Sequence, residues 1–155
     1  MDCYAHITST VIYRVICGAG VDSITAGAGN DVISVDDHSD FQTSGGAETV
    51  DGGIGTDKLV FSESDTNITL TAPEVEQLIG VEEIEFANGS GTATITLGNG
   101  TWTNNTGVTN LIIDHAANTG AGTTDASAVS NGAITVIGSD AVSYTHLTLP
   151  TTPYV

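Results

Sequence analysis

Basic residues are almost absent from this chain. Arg14 and Lys58 are the only Lys or Arg in 155 residues, against 19 Asp and Glu, for a formal net charge of -17. So few cations cannot neutralise a run of phosphates, which excludes nucleic acid and anionic membrane surfaces as partners. Aromatic residues are also scarce (one Trp, three Phe, four Tyr), so a thick globular core is excluded and a thin, elongated stack is expected. Cys3 and Cys17 are too few for a disulfide framework. No apolar run approaches the length of a membrane span, so membrane insertion is not expected. The opening "MDCYAHITSTVIYRVIC" has no basic leader, so neither is a cleavable signal peptide. Catalytic patterns are missing too. The chain has no H-E-x-x-H and no G-x-S-x-G, and His6, His38, His115 and His146 lie far apart without a nucleophile pattern. The expectation is a chain that is not an enzyme.

What the chain does have is glycine, 19 of them, among abundant Thr, Ser, Asn, Val and Ile. Its apolar fraction of 39% is too high for an acidic disordered tail. This composition predicts short strands joined by tight turns, an all-β fold. A repeat organises it. "CGAGVDSIT" (17–25), "AGAGNDVIS" (26–34) and "GGIGTDKLV" (52–60) share the pattern G-G-x-G-x-D-x-U-x, with U a large apolar residue. The interval between them divides into "VDDHSDFQ" and "TSGGAETVD", which keep the register with one residue missing. Acids fall at Asp22, Asp31, Asp40, Glu48 and Asp57, and apolar markers at Ile24, Ile33, Phe41, Val50 and Leu59. Both series absorb the same one-residue deletion between Asp40 and Phe41, so residues 17–60 read as five consecutive turns.

This stretch resembles the RTX, or haemolysin-type, calcium-binding nonapeptide repeat of secreted bacterial proteins, strongly at 52–57 and well at 18–22 and 27–31. Cys17 and Ala26 depart from it, standing where the first glycine belongs. The resemblance implies a right-handed parallel β-roll, with Ca2+ held by turn carbonyls and carboxylates. Carried over residue by residue, the implied metal-site positions are Gly18, Gly20, Asp22, Gly27, Gly29, Asp31, Asp40, Gly46, Glu48, Gly53, Gly55 and Asp57. In the family fold two nonapeptides complete a coil. The turns around Asp22, Asp40 and Asp57 would then share one edge, and those around Asp31 and Glu48 the other. The chemistry suits the residues. Calcium takes six to eight oxygen ligands in a flexible cage, and a short turn offers several carbonyls only where glycine frees the backbone.

Other readings of the same residues fit less well. A phosphate-binding loop requires glycines that open a helix, whereas "DSIT" and "DVIS" read as strand and no Lys follows. An EF-hand fails because Phe41 sits where its loop needs glycine. The glutamates of "EVEQLIGVEEIEF" (74–86) read as the wet face of a strand or short helix, not as an acid–base pair. His38 reads as an exposed turn residue.

Beyond residue 60 the nonapeptide gives way to longer units. "KLVFS", "NITLT", "EEIEFA", "ATITL", "NLIIDHA" and "AITVIGS" read as strands, and "PEVEQLI" as a helical turn or two. "LTAPEVEQLIGVEEIEF" and "DASAVSNGAITVIGS" resemble linking segments between repeat blocks of large RTX adhesins and surface-layer proteins. The β-roll (17–60) is therefore expected to continue into a β-solenoid (61–141) with Ile84, Phe86, Ile95, Leu97, Ile112, Ile134 and Val136 inside. Residues 1–16 fit the pattern poorly and are set apart. Residues 142–155 are read as a non-native tail, because "VSYTHLTLPTT" resembles the translation of a sequencing-library adapter. The expected function is a repeat module that folds on binding calcium after secretion, part of an adhesin or surface-layer-type protein. Its expected location is extracellular or at the bacterial cell surface, with the cell surface or neighbouring repeats of the parent chain as further partners. The alternative is the C-terminal folding scaffold of a secreted RTX hydrolase. A carbohydrate-binding solenoid would need an exposed aromatic platform, for which Trp102 and Phe61 are the candidates.

Overall fold

The structure, a computed structural model, describes residues 4–6, 13–14, 23–35, 49–62, 67–100, 105, 108–130, 132–138 and 142–145, the first two segments and the last by backbone alone. Apolar residues alternate with polar ones over three to five positions, and Gly, Asn or Asp then breaks the run. Such a segment buries one face as a strand and turns. The chain repeats this until strands stack in parallel ladders, giving a β-solenoid of about 4 turns with essentially no helix.

Three sheets form the walls. Sheet A holds β1 (Tyr4–His6), β3 (Ser23–Thr25), β5 (Thr49–Asp51) and β8 (Leu78–Ile79). Sheet B holds β2 (Tyr13–Arg14), β4 (Val32–Val35), β6 (Lys58–Phe61), β9 (Glu83–Phe86), β11 (Asn110–Asp114) and β13 (Ala133–Ile137). Sheet C holds β7 (Ile68–Leu70), β10 (Ala93–Thr96), β12 (Gly122–Asp125) and β14 (Val142–Thr145). From β5 to β10 the chain visits A, B and C in turn, twice. From β11 onward it alternates between B and C.

The registers line up inward residues into columns. Ile24, Val50 and Leu78 stack along sheet A. Ile33, Leu59, Ile84 and Ile113 stack along sheet B, with Phe61 over Phe86 beside them. Leu70 and Ile95 continue into Thr124 on sheet C. Nearly all of these side chains are fully buried, each contributing about 1.5–3 kcal/mol. Sheet A buries one apolar residue per coil, whereas sheet B buries two, as with Leu59 and Phe61 or Ile84 and Phe86.

All six expected strand runs form strands. The helical turn is present as α1 (Ala72–Val75), where the Glu74 carboxylate accepts from Thr71 N at 2.6 Å and Thr71 Oγ1 at 2.9 Å. That capping box explains how Glu74 comes to be buried. Ile84, Phe86, Ile95 and Leu97 are buried, and Ile134 and Val136 pack half-buried against the core. Ile112 differs from expectation. Leu111 and Ile113 are the inward pair of β11, and the alternation of side chains along a strand turns Ile112 outward. Phe61 is fully buried and forms no exposed platform, while Trp102 lies outside the described residues. Segment 142–145 adds β14 to sheet C by pairing with β12.

Among the described residues β8 is the last strand of sheet A, and a side chain covers the backbone just beyond that edge. Asn105, itself buried, accepts a hydrogen bond from Val81 N at 3.0 Å and donates one to Val81 O at 2.8 Å. One amide thus satisfies both backbone groups of an interior residue, as a further strand would.

Candidate metal site

The corner between sheets A and B is built from three aligned segments: 29–35 "GNDVISV", 55–61 "GTDKLVF" and 80–86 "GVEEIEF". Each carries Gly, one residue, an acid, and then inward apolar residues two and four positions later. The acids Asp31, Asp57 and Glu82 therefore recur at one height of successive coils. Asp31 N donates to Asp57 Oδ1 at 2.7 Å across 26 residues, and Asp57 N donates to Glu82 Oε2 at 2.7 Å. The Asp57 and Glu82 carboxylates each serve the backbone of the coil before.

The glycine turns above these acids stack equally closely. Ile54 N donates to Gly27 O, and Gly29 N donates to Ile54 O, both at 2.8 Å. Gly53 lies at φ +95°, and a Cβ there would sit 1.9 Å from Gly27 O. Gly55 lies at φ +152°, with Gly29 O 1.8 Å from the same imaginary atom. No other residue allows both this backbone conformation and this approach of coils. Thr56 N donates to Asn30 Oδ1 at 3.0 Å, so the exposed tip of the turn is tied as well.

Asp31 and Asp57 are each 1% exposed. Both carboxylate oxygens of Asp31 and Oδ2 of Asp57 are buried without a hydrogen-bond partner. Burial is the main influence holding the Asp57 carboxyl above its ordinary value. The Asp31 amide opposes this shift, and the charges of Glu82, Asp31 and Asp51 add to it. Three orphaned oxygens on two stacked carboxylates form a donor set of hard oxygens alone, which suits calcium. Among the described residues no group of three or more His, Cys, Asp or Glu converges on one point. An ion at this corner would therefore draw its remaining ligands from backbone carbonyls.

No protein-family model, curated protein or solved structure matches this chain. The residues themselves carry the functional reading.

Of the expected positions, Gly27, Gly29, Asp31, Gly53, Gly55 and Asp57 meet at this single corner. Gly18, Gly20, Asp22, Asp40, Gly46 and Glu48 lie outside the described residues. The edge assignment changes. Asp31 and Asp57 share one corner, whereas two nonapeptides per coil would put them on opposite edges. The 26-residue offset is three nonapeptide lengths less the residue deleted after Asp40, and from β5 to β10 successive coils visit three walls. Glu82, whose carboxylate joins this column by accepting from Asp57 N, was not among the expected positions. The match of "GVEEIEF" to "GTDKLVF" is the signal that would have found it, obscured because Glu replaces Asp and only one glycine remains.

Outside the corner, Lys58 bridges two glutamates on the outer face of sheet B. Its Nζ lies 2.6 Å from Glu83 Oε1 and 2.8 Å from Glu85 Oε2. These contacts, Glu83 first, raise the Lys58 pKa above its ordinary value. The glutamates thus form the wet face of a strand. Among the described residues no helix is long and apolar enough to cross a membrane.

Proposed function

We propose that this chain is a calcium-binding solenoid module, a piece of an RTX-like exoprotein of the adhesin or surface-layer type that folds on binding calcium outside the cell. The observation that carries the reading is the pair of stacked, fully buried carboxylates Asp31 and Asp57 with three unpartnered oxygens. Buried carboxylates in this state cost free energy until they are paired. A bound divalent ion would neutralise their charge and couple metal binding to folding. The glycines at 27, 29, 53 and 55 support the reading, because their turns bring coil backbones close enough to concentrate carbonyl oxygens at the same corner. The scarcity of basic residues supports it as well, since only Lys58 offers a described internal counter-charge and it is spent on Glu83 and Glu85.

Calcium titration tests the proposal. Calorimetry should give saturable binding, and circular dichroism should show β-structure rising from chelator to millimolar calcium. The same β-content in both conditions, with no binding heat, would sink the idea.

A further inference from the structure

The interior of sheet B carries a column of planar rings. Phe61 and Phe86 occupy equivalent positions on consecutive coils, with ring centroids 5.7 Å apart. The pairing of Glu85 with Asp114 extends that register, so the next position in the column is His115. Its ring stacks on Phe86 at 4.9 Å with an interplanar angle of 8°. A titratable ring therefore fills a place that phenylalanine fills in the two preceding coils.

Its surroundings accept only the neutral form. His115 is fully buried, Nε2 lies 3.1 Å from Thr124 Oγ1, and Nδ1 has no partner. Gly122 closes the other side, where a Cβ would lie 2.8 Å from ring atoms. The neutral ring carries one N–H, whereas the imidazolium carries two, and Thr124 can accept only one of them. Among the described residues no carboxylate waits inside. The Asp114 carboxylate accepts from Ala116 N at 2.7 Å. Glu83 and Glu85 on β9 alternate outward with buried Ile84 and Phe86, and Asp125 on β12 alternates outward with Thr124. β13 carries no titratable residue. His115 also ties three strands together, since its own amide donates to Ile137 O at 2.8 Å.

We infer that His115 is an acid-sensitive latch: its protonation opens the coils formed by β11, β12 and β13 while the calcium corner, on earlier coils, is spared. Burial lowers the His115 pKa, and the Asp114 charge offsets this only in part. A lowered folded-state value means that the open chain takes up the proton first. The latch is then closed above the ordinary histidine value of about 6.5 and loosens as pH falls below it.

Hydrogen exchange by mass spectrometry on the full chain in saturating calcium tests this, from about pH 7.5 to about pH 5. After correction for intrinsic rates, exchange across 110–125 should rise up to about tenfold per pH unit below about 6.5, until the folded-state value is reached. Exchange across 49–59 should stay flat. His115→Phe, which restores the column, should abolish the slope. His115→Gln, neutral and smaller, gives the same readout should the phenylalanine variant fail to fold. A flat wild-type profile, or an acid slope retained in either variant, would overturn the inference.

Discussion

Replacing Asp57 by Asn probes the corner most directly, because the substitution changes charge with little change of shape. The side-chain oxygen of the introduced asparagine would still accept the Asp31 amide, which now bonds at 2.7 Å to a carboxylate oxygen. Losing the charge from that hydrogen bond costs about 1 kcal/mol. Against this, the buried negative charge disappears, and with it the repulsion from Asp31 and Glu82, a relief of about 1–3 kcal/mol, while an amide nitrogen takes the place of Oδ2. In chelator, Asp57→Asn should therefore be as stable as the wild type or more stable, by up to about 2 kcal/mol. In calcium the order should reverse. At a hundred times the dissociation constant a single site adds about 2.7 kcal/mol, and the variant should forfeit most of that. Urea melts of both proteins, each in chelator and in calcium, give the four numbers required. The pH dependence carries a second signature. Because the folded-state pKa of Asp57 is raised, the metal-free wild type should gain stability relative to the variant as pH falls through that value towards 3.8. A variant that is destabilised in chelator and still fully responsive to calcium would refute the idea that Asp57 is a strained, metal-seeking carboxylate.

Three further predictions concern the frame that holds the site. Asn105→Ala removes both bonds to the Val81 backbone and leaves two buried groups unpaired, so it should cost about 2–4 kcal/mol in denaturant melts. A loss below about 0.5 kcal/mol would show that the edge is closed by other means. Gly53→Ala forces a Cβ onto Gly27 O and a side chain into positive φ, and should cost at least about 2–3 kcal/mol and weaken calcium binding by calorimetry. Retention of wild-type stability and affinity would show that the coils need not approach so closely. Lys58→Met leaves Glu83 and Glu85 without their bridge, yet the pairs lie near the surface, so the loss should stay within about 1 kcal/mol and shrink with added salt.

Much of the wall structure was legible from local pattern. The nine-residue register marked Ile24, Ile33, Val50 and Leu59, and all four are buried column residues. Alternation within "EEIEFA" and "ATITL" picked out the inward residues of β9 and β10, because side chains on a strand alternate faces. It failed for β11, where "LII" is apolar at three consecutive positions and the pattern cannot say which face is buried. Strand β12 was missed altogether. Its "GTTD" reads as turn residues, and only its pairing with β10 and β14 makes it a strand. Asn105 and His115 were illegible for a related reason, since each owes its role to a partner more than twenty residues away.

The sequence by itself determined the length of each strand-and-turn unit, the acids and glycines at its corners, and the apolar residues that line it. These follow from contacts within a few residues, where glycine's backbone freedom and side-chain alternation dominate. The number of walls per coil was decided only by tertiary structure. Asp31 stacks on Asp57, at 26 residues, and a local register is the same whether a coil closes after two units or three. That closure depends on how the coils dock against one another. It alone decides which carboxylates share a corner and places a histidine in the aromatic column.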